Sequence, residues 1–237
     1  MLDMRFELPY KNRNFLELTI KGALELDMKK YSTPQEEFWA GEFGDEYIKR
    51  NCSDDYIAIC IAFWVRVLHK TCSVNSICEL GANIGINLRS IRILLPNCKL
   101  TGVEINSKAA SELREWGGAE VFEQSLFDFN AEHEYDLTFT KGVLIHLNPD
   151  LLVKAYDILY RSSKRFICVA EYYNPSPIEV EYRGNREKLF KRDFAGEMLD
   201  RFPDLRLIDY GFVYHRDIFP QDDTSWFLME KLNQPDS

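Results

Sequence analysis

From Ile77 onward, short runs rich in apolar and β-branched residues alternate with amphipathic helical stretches. A chain with this alternation folds into an open α/β, doubly wound, mostly parallel sheet with helices on both faces, because each parallel crossover needs a helix to carry the chain back. Seven strands are expected, at 76–80, 99–105, 120–124, 136–140, 165–171, 205–211 and 225–231. Helices are expected at 87–94, 107–116, 149–161 and 192–201. The last two strands follow one another without an intervening helix, so they are expected to pair antiparallel at the sheet edge.

Local signals agree with these boundaries. Asn148 before Pro149 supplies a helix cap and a first-turn proline, and Ser107 caps a helix that ends at Gly117-Gly118. Before Ile77 the pattern changes. Thr33-Pro34-Gln35-Glu36 reads as a capping box that opens one helix through EEFWAGEFGDEYIKR, and a second helix over 54–69 is apolar nearly all round and expected to be buried. The expected organisation is a helical N-terminal cap over 1–72 and an α/β domain over 73–237, with an acceptor-site insertion at about 172–194.

The formal net charge of -9 disfavours a nucleic-acid partner, whose phosphates select basic surfaces. The longest apolar stretch, YIAICIAFWV, is too short to cross a bilayer, and the acid-bearing start MLDMRFELP is not a signal peptide, so no membrane partner and a cytoplasmic location are expected. Cys52, Cys60, Cys72, Cys78, Cys98 and Cys168 lie mostly in apolar runs without a metal spacing, and are read as reduced core residues. No metal site is expected. Nothing in the patterns fixes the oligomeric state.

The stretch ICELGANIGIN falls where an open α/β sheet binds its ligand, over the turn after the first strand. Gly81 and Gly85 allow the backbone close to a ligand, and the helix start at Asn87 can hold an anionic group. Gly81-Ala82-Asn83-Ile84-Gly85 lacks the central glycine of the dinucleotide fingerprint, which makes NAD a weaker fit. Glu79 ends the strand, where a carboxylate is costly unless it meets a cation such as a ligand ammonium. Glu104, about twenty residues beyond the turn, is placed to accept the hydroxyls of a ribose.

An acid before G-x-x-x-G and a second acid ending the next strand resemble the class I S-adenosylmethionine-dependent methyltransferases. The resemblance implies S-adenosylmethionine as cofactor and S-adenosylhomocysteine as product. It implies a cofactor site made of Glu79, Gly81, Asn83, Gly85, Asn87, Glu104 and Ile105, with Ser125 and Leu126 beside the adenine and Lys141, Gly142 and Val143 on the methionine side. His146 in KGVLIHLNPD is expected to look toward the methyl group.

Three longer strings, TPQEEFWAGEFGDEYIKRN, KGVLIHLNPDLL, and EYYNPSPIEVEYRG with LFKRDFAGEMLDRFPDLRLIDYGFVYHRD, resemble the pseudaminic acid biosynthesis-associated methylases. That resemblance implies an anionic small-molecule or sugar acceptor of the nonulosonic type. Trp39, Phe43 and Tyr47 recur at helical spacing and, with Gly44, are expected to form an aromatic lid over a sulfonium. The basic string RGNREKLFKR suggests Arg183 and Arg192 for an acceptor carboxylate or phosphate, with Tyr172, Asn174 and Tyr182 as further acceptor contacts. His146 is the first candidate base, with Tyr173 and Asp193 as reserves. Rival readings are a catalytically idle S-adenosylmethionine-binding regulator, a nucleotide-dependent oxidoreductase on the same fold, and a methyltransferase of an unrelated carboxylate or amine.

Overall fold

In the computed structural model, residues 31–48 and 54–232 are described. The parts of the expected cap at 1–30 and 49–53, and with them Cys52, lie outside the described residues. Strands β1 (Ser76–Leu80), β2 (Lys99–Glu104), β3 (Glu120–Glu123), β4 (Tyr135–Lys141), β5 (Ser163–Glu171), β8 (Leu205–Val213) and β9 (Thr224–Lys231) form one seven-stranded sheet in the order β3-β2-β1-β4-β5-β9-β8. β1 to β5 run parallel, and β9 is antiparallel to both β5 and β8.

The expected terminal hairpin therefore forms. β8 takes the edge and β9 the gap beside β5. Burial accounts for that choice: Leu228 and Met229 of β9 are fully covered, whereas β8 exposes Tyr210 and Phe212.

Both faces of the central strands are packed. Cys78, Leu80, Val103, Ile167 and Val169 meet the helices α6 (Leu152–Ser162) and α7 (Phe194–Arg201) in one cluster. The alternate residues Ile77, Leu137, Phe139, Phe166 and Cys168 share a second cluster with α3 (Asp54–Leu68), α4 (Ile86–Leu94) and α5 (Ser107–Trp116). Trp64 of α3 lies 4.4 Å from Phe139 between ring centroids, which seats this helix on the sheet as its apolar run requires. Val65 and Arg66 face outward, so α3 is not covered all round.

Several expectations are corrected. The helix opened by Thr33 breaks at Gly41 into α1 (Pro34–Ala40) and α2 (Glu42–Ile48), because Gly41 takes extended backbone. The stretch after Asn148 begins as a 3₁₀ turn at Pro149–Leu151 before α6. A small ribbon of β6 (Ile178–Glu179) and β7 (Phe190–Lys191), too short to leave a periodic trace, folds out of the 172–194 segment. Cys72 is exposed, 3.5 Å from the Arg165 guanidinium, while Cys60, Cys78, Cys98 and Cys168 are buried free thiols. No described helix is long and apolar enough to cross a membrane.

Candidate functional site

The strand order reverses between β1 and β4, and a cleft opens there at the carboxyl ends of the strands. Three strands of the sheet carry a nearly fully buried acid at their carboxyl ends, Glu79 next to last on β1, Glu104 last on β2 and Glu171 last on β5. Burial raises all three carboxyls, Glu79 to about 8 and Glu171 to about 7.

Their partners separate them. Glu104 accepts from the backbone amides of Asn83 and Asn106, each at 2.7 Å, which ties the glycine turn to the end of β2. Glu171 accepts from the amides of Val143, Leu144 and Ile145 at 3.0, 3.1 and 3.4 Å and so fixes the loop after β4. Glu79 accepts from Asn87 Nδ2 at 2.6 Å through Oε1, while its Oε2 is buried without a hydrogen-bond partner. Of the three, Glu79 and Glu104 line the cleft.

The turn itself is held by its own amides. Gly81 and Ala82 both donate to Val103 O at 2.8 and 3.0 Å, and Asn83 takes a positive φ of 48°. A Cβ on Gly81 would meet Val143 at 2.5 Å, which joins the turn to the β4 loop. Gly85 caps α4 with φ 78°, and no side chain caps this helix. Its Ile86 and Asn87 line the cleft.

The cap closes the cleft from above the strand ends. Glu36 accepts from Ser125 Oγ at 2.5 Å, and Gln35 donates to Glu187 O at 3.0 Å. Asn106 donates to Trp39 O at 3.2 Å, in a packing so close that a Cβ on Gly44 would meet that same oxygen at 1.9 Å. Trp39 lies 4.6 Å from His146 and 5.3 Å from Tyr47 between centroids, forming an aromatic wall. The His146 ring shares its Nδ1 with Lys188 O at 2.6 Å, so Nδ1 carries the proton and Nε2 is an acceptor. Burial lowers its pKa to about 4, which keeps the ring neutral.

Among the described residues, buried side-chain atoms without a partner gather on this cleft: Gln35 Oε1, Trp39 Nε1, Glu79 Oε2 and both amide atoms of Gln221. Such atoms are costly in a folded interior, so their convergence marks a ligand site.

No protein-family model and no curated protein sequence matches the chain. Solved structures do match it. The 1,6-didemethyltoxoflavin-N1-methyltransferase of Burkholderia thailandensis, with bound 1,6-didemethyltoxoflavin and S-adenosylhomocysteine, is similar with a TM-score of 0.59 and 12% identity, over 98% of this chain and 94% of that one. The plantazolicin methyltransferase in complex with S-adenosylhomocysteine gives 0.61 and 13%, over 91% and 100%. A sugar N-methyltransferase from Streptoalloteichus gives 0.59 and 13%, over 82% and 94%. The fold is that of the Rossmann-like methyltransferases.

In this methyltransferase fold the cleft brings together Trp39, Gly44, Tyr47, Glu79, Gly81, Asn83, Asn87, Glu104, Ile105, Ser125, Leu126, Lys141, Gly142, Val143, His146 and Tyr172, all of them singled out in the sequence. Others lie elsewhere. Gly85 faces α5, where a Cβ would meet Leu113 at 2.3 Å, so its smallness serves packing. Phe43 stacks on Phe38 at 4.1 Å. Tyr182 is 4.9 Å from His146 without lining the cleft, and Arg183 stands over the Tyr182 ring at 5.7 Å.

Tyr173 is exposed and packs on Phe227, and Asn174 donates to Ser176 O within its own turn. Asp193 caps α7 by accepting from Gly196 N at 2.8 Å, and Arg192 pairs with Glu197 at 2.5 Å. Neither Asp193 nor Arg192 lines the cleft.

The sequence reading missed Gln35, Glu36, Tyr56, Gln221 and Asp222 on the cleft, and Glu171 beneath it. Glu171 had a signal, an acid ending an apolar strand like Glu79 and Glu104. Gln221 and Asp222 had none, since they sit in an irregular turn between β8 and β9.

Proposed function

We propose that the chain is an S-adenosylmethionine-dependent methyltransferase acting in the cytoplasm on an anionic small molecule, of which a nonulosonic, pseudaminic-type sugar of bacterial surface-glycan biosynthesis is the leading member. The observation that carries the reading is Glu79, a buried carboxylate on the cleft with one oxygen unpartnered, across from Glu104 at the end of the neighbouring strand. A ligand ammonium satisfies the first, and ribose hydroxyls suit the second. Solved structures with this fold that hold S-adenosylhomocysteine support the same donor. The sugar N-methyltransferase among them and the long string resemblance support a sugar acceptor.

S-adenosylmethionine supplies a methyl group on a sulfonium. Transfer by in-line displacement asks the protein to align the partners and exclude water. In this reading Glu79 holds the amino group, the uncapped start of α4 faces the carboxylate, and Glu104 grips the ribose. Ser125 and Leu126 flank the adenine. Trp39 and Tyr47 present ring faces to positive charge and keep water out. His146, neutral with Nε2 as acceptor, takes the proton of an attacking hydroxyl or amine.

Calorimetric titration with S-adenosylhomocysteine and with NADH tests the donor, and only the first is expected to bind. Labelled S-adenosylmethionine with an extract lacking this enzyme then tests transfer. Donor binding without transfer to any component would point instead to an idle regulator.

A further inference from the structure

The segment between β6 and β7 returns to the cap through one backbone turn. In it Glu187 stands at φ 57°, in the left-handed region that a residue with a side chain seldom occupies. A residue strained in this way persists only where its surroundings hold it. Two bonds do so here: the Glu187 N–H donates to Glu179 Oε1 at 2.8 Å, and the Glu187 carbonyl accepts from Gln35 Nε2 of α1 at 3.0 Å. The first is made at the exposed surface, whereas Gln35 is 6% exposed. A hydrogen bond taken from a buried amide is costlier to lose than one made in water, so Gln35 is the stronger restraint.

The next carbonyl in the chain belongs to Lys188, and it accepts from His146 Nδ1 at 2.6 Å. That contact is what leaves Nε2 as an acceptor. Beyond it, Val180 N donates to Leu189 O at 2.9 Å and pins the far side of the turn to the ribbon. Relaxation of Glu187 to a negative φ is therefore confined to Glu187 and Lys188, whose dihedrals are the soft ones, and it swings Lys188 O away from the imidazole. A second tie from the cap, Lys188 Nζ to Pro34 O at 3.1 Å, is exposed and restrains the side chain more than the carbonyl. The other atom of the Gln35 amide, Oε1, is buried without a partner, so the hold of this amide on the turn runs through Nε2.

We propose that Gln35 is a positioning residue for His146: its amide holds Glu187 at positive φ, Glu187 presents Lys188 O to Nδ1, and the imidazole is kept in the tautomer whose Nε2 can accept a proton. The state of the ring is then tied to the seating of α1 over the cleft. The consequence for turnover rests on the reading of His146 as base, but the tautomer itself does not.

The test uses the full chain, isotope-labelled on nitrogen, with its imidazoles read by long-range proton–nitrogen correlation NMR at neutral pH. The chain has four histidines, and His146→Ala identifies the resonance. The unaltered protein is expected to show the Nδ1–H form. Gln35→Leu is expected to lower that fraction by more than half, and Gln35→Ala is the second variant should the first fail to fold. Adding Glu187→Gly to either is expected to restore most of the Nδ1–H form, because glycine occupies positive φ without strain. A general loosening of the cap would give no such recovery.

An Nε2–H ring in the unaltered protein, an unchanged fraction in the Gln35 variants, or no recovery on adding Glu187→Gly would overturn the proposal. Unfolding of both Gln35 variants, seen by circular dichroism, would assign the residue to the fold and overturn it as well. Labelled methyl transfer from S-adenosylmethionine into an extract lacking this enzyme is expected to follow the Nδ1–H fraction across the variants. A tautomer that responds while transfer does not would uphold the role of Gln35 and remove His146 as the base.

Discussion

Asn87 donates to one oxygen of Glu79 at 2.6 Å and leaves the other buried without a partner. A side chain of α4 thereby orients the carboxylate at the end of β1 while keeping half of its accepting capacity open to the cleft. Glu104 and Glu171, buried to a similar degree, instead receive backbone amides on both oxygens.

The first prediction concerns protons. Burial raises Glu79 to about 8, so in the unliganded protein it is mostly protonated at pH 7, and an arriving ammonium lowers it. Donor binding is expected to release close to one proton at pH 7, seen as a calorimetric enthalpy that varies with the ionisation heat of the buffer. Glu79→Gln is expected to lose that dependence and to bind S-adenosylhomocysteine at least tenfold more weakly.

The same shift has a stability sign. The folded pKa lies above the ordinary value of 4.5, so the unliganded fold loses stability as pH rises from about 4.5 to 8. Glu79→Gln is therefore expected to raise the melting midpoint at pH 8, with a smaller gain at pH 5. A larger gain at pH 5 would contradict the assignment.

His146 is held near a pKa of 4 by burial, with Lys188 O fixing its tautomer. The pH profile of kcat/KM is expected to show no acidic limb from this residue between pH 5 and 8. His146→Ala is expected to cut turnover by two orders of magnitude or more, with donor affinity changed far less. Unaltered turnover would remove His146 from the chemistry.

Glu171 organises the loop that carries His146. Glu171→Ala strands three backbone amides, at a cost of about 3 kcal/mol in unfolding free energy, measurable by denaturant titration. Turnover is expected to fall with it, because Val143 and His146 lose their anchorage.

Arg192 separates the acceptor expectation from the structural one. Its guanidinium pairs with Glu197, which also accepts from Tyr156 at 2.7 Å. Arg192→Ala is expected to destabilise the fold by about 2 kcal/mol while KM for the acceptor stays within twofold.

Alternating periodicities, strand-ending acids and the glycine turn are local signals. They made the parallel sheet, the terminal hairpin, Glu79, Glu104 and most of the cleft lining over β1 and β2 legible in the sequence, because a strand's carboxyl end and the turn after it are adjacent in the chain. The cleft lining over β4, β5 and β9 was not legible in this way. The basic string at 183–192 looked like an anion site, yet Arg192 found a carboxylate in Glu197 of the helix that follows it, and Asp193 became that helix's cap. Gly85 met Leu113 instead of a ligand. Gln221 and Lys141, 80 positions apart in the numbering, share one sheet edge because β9 inserts beside β5. Side-chain satisfaction across distant strands is a property of tertiary packing, which leaves no period in the chain. The sequence determined which strands this protein has and which acids stand at their carboxyl ends, and the folded structure decided which polar groups are left without a partner on the cleft.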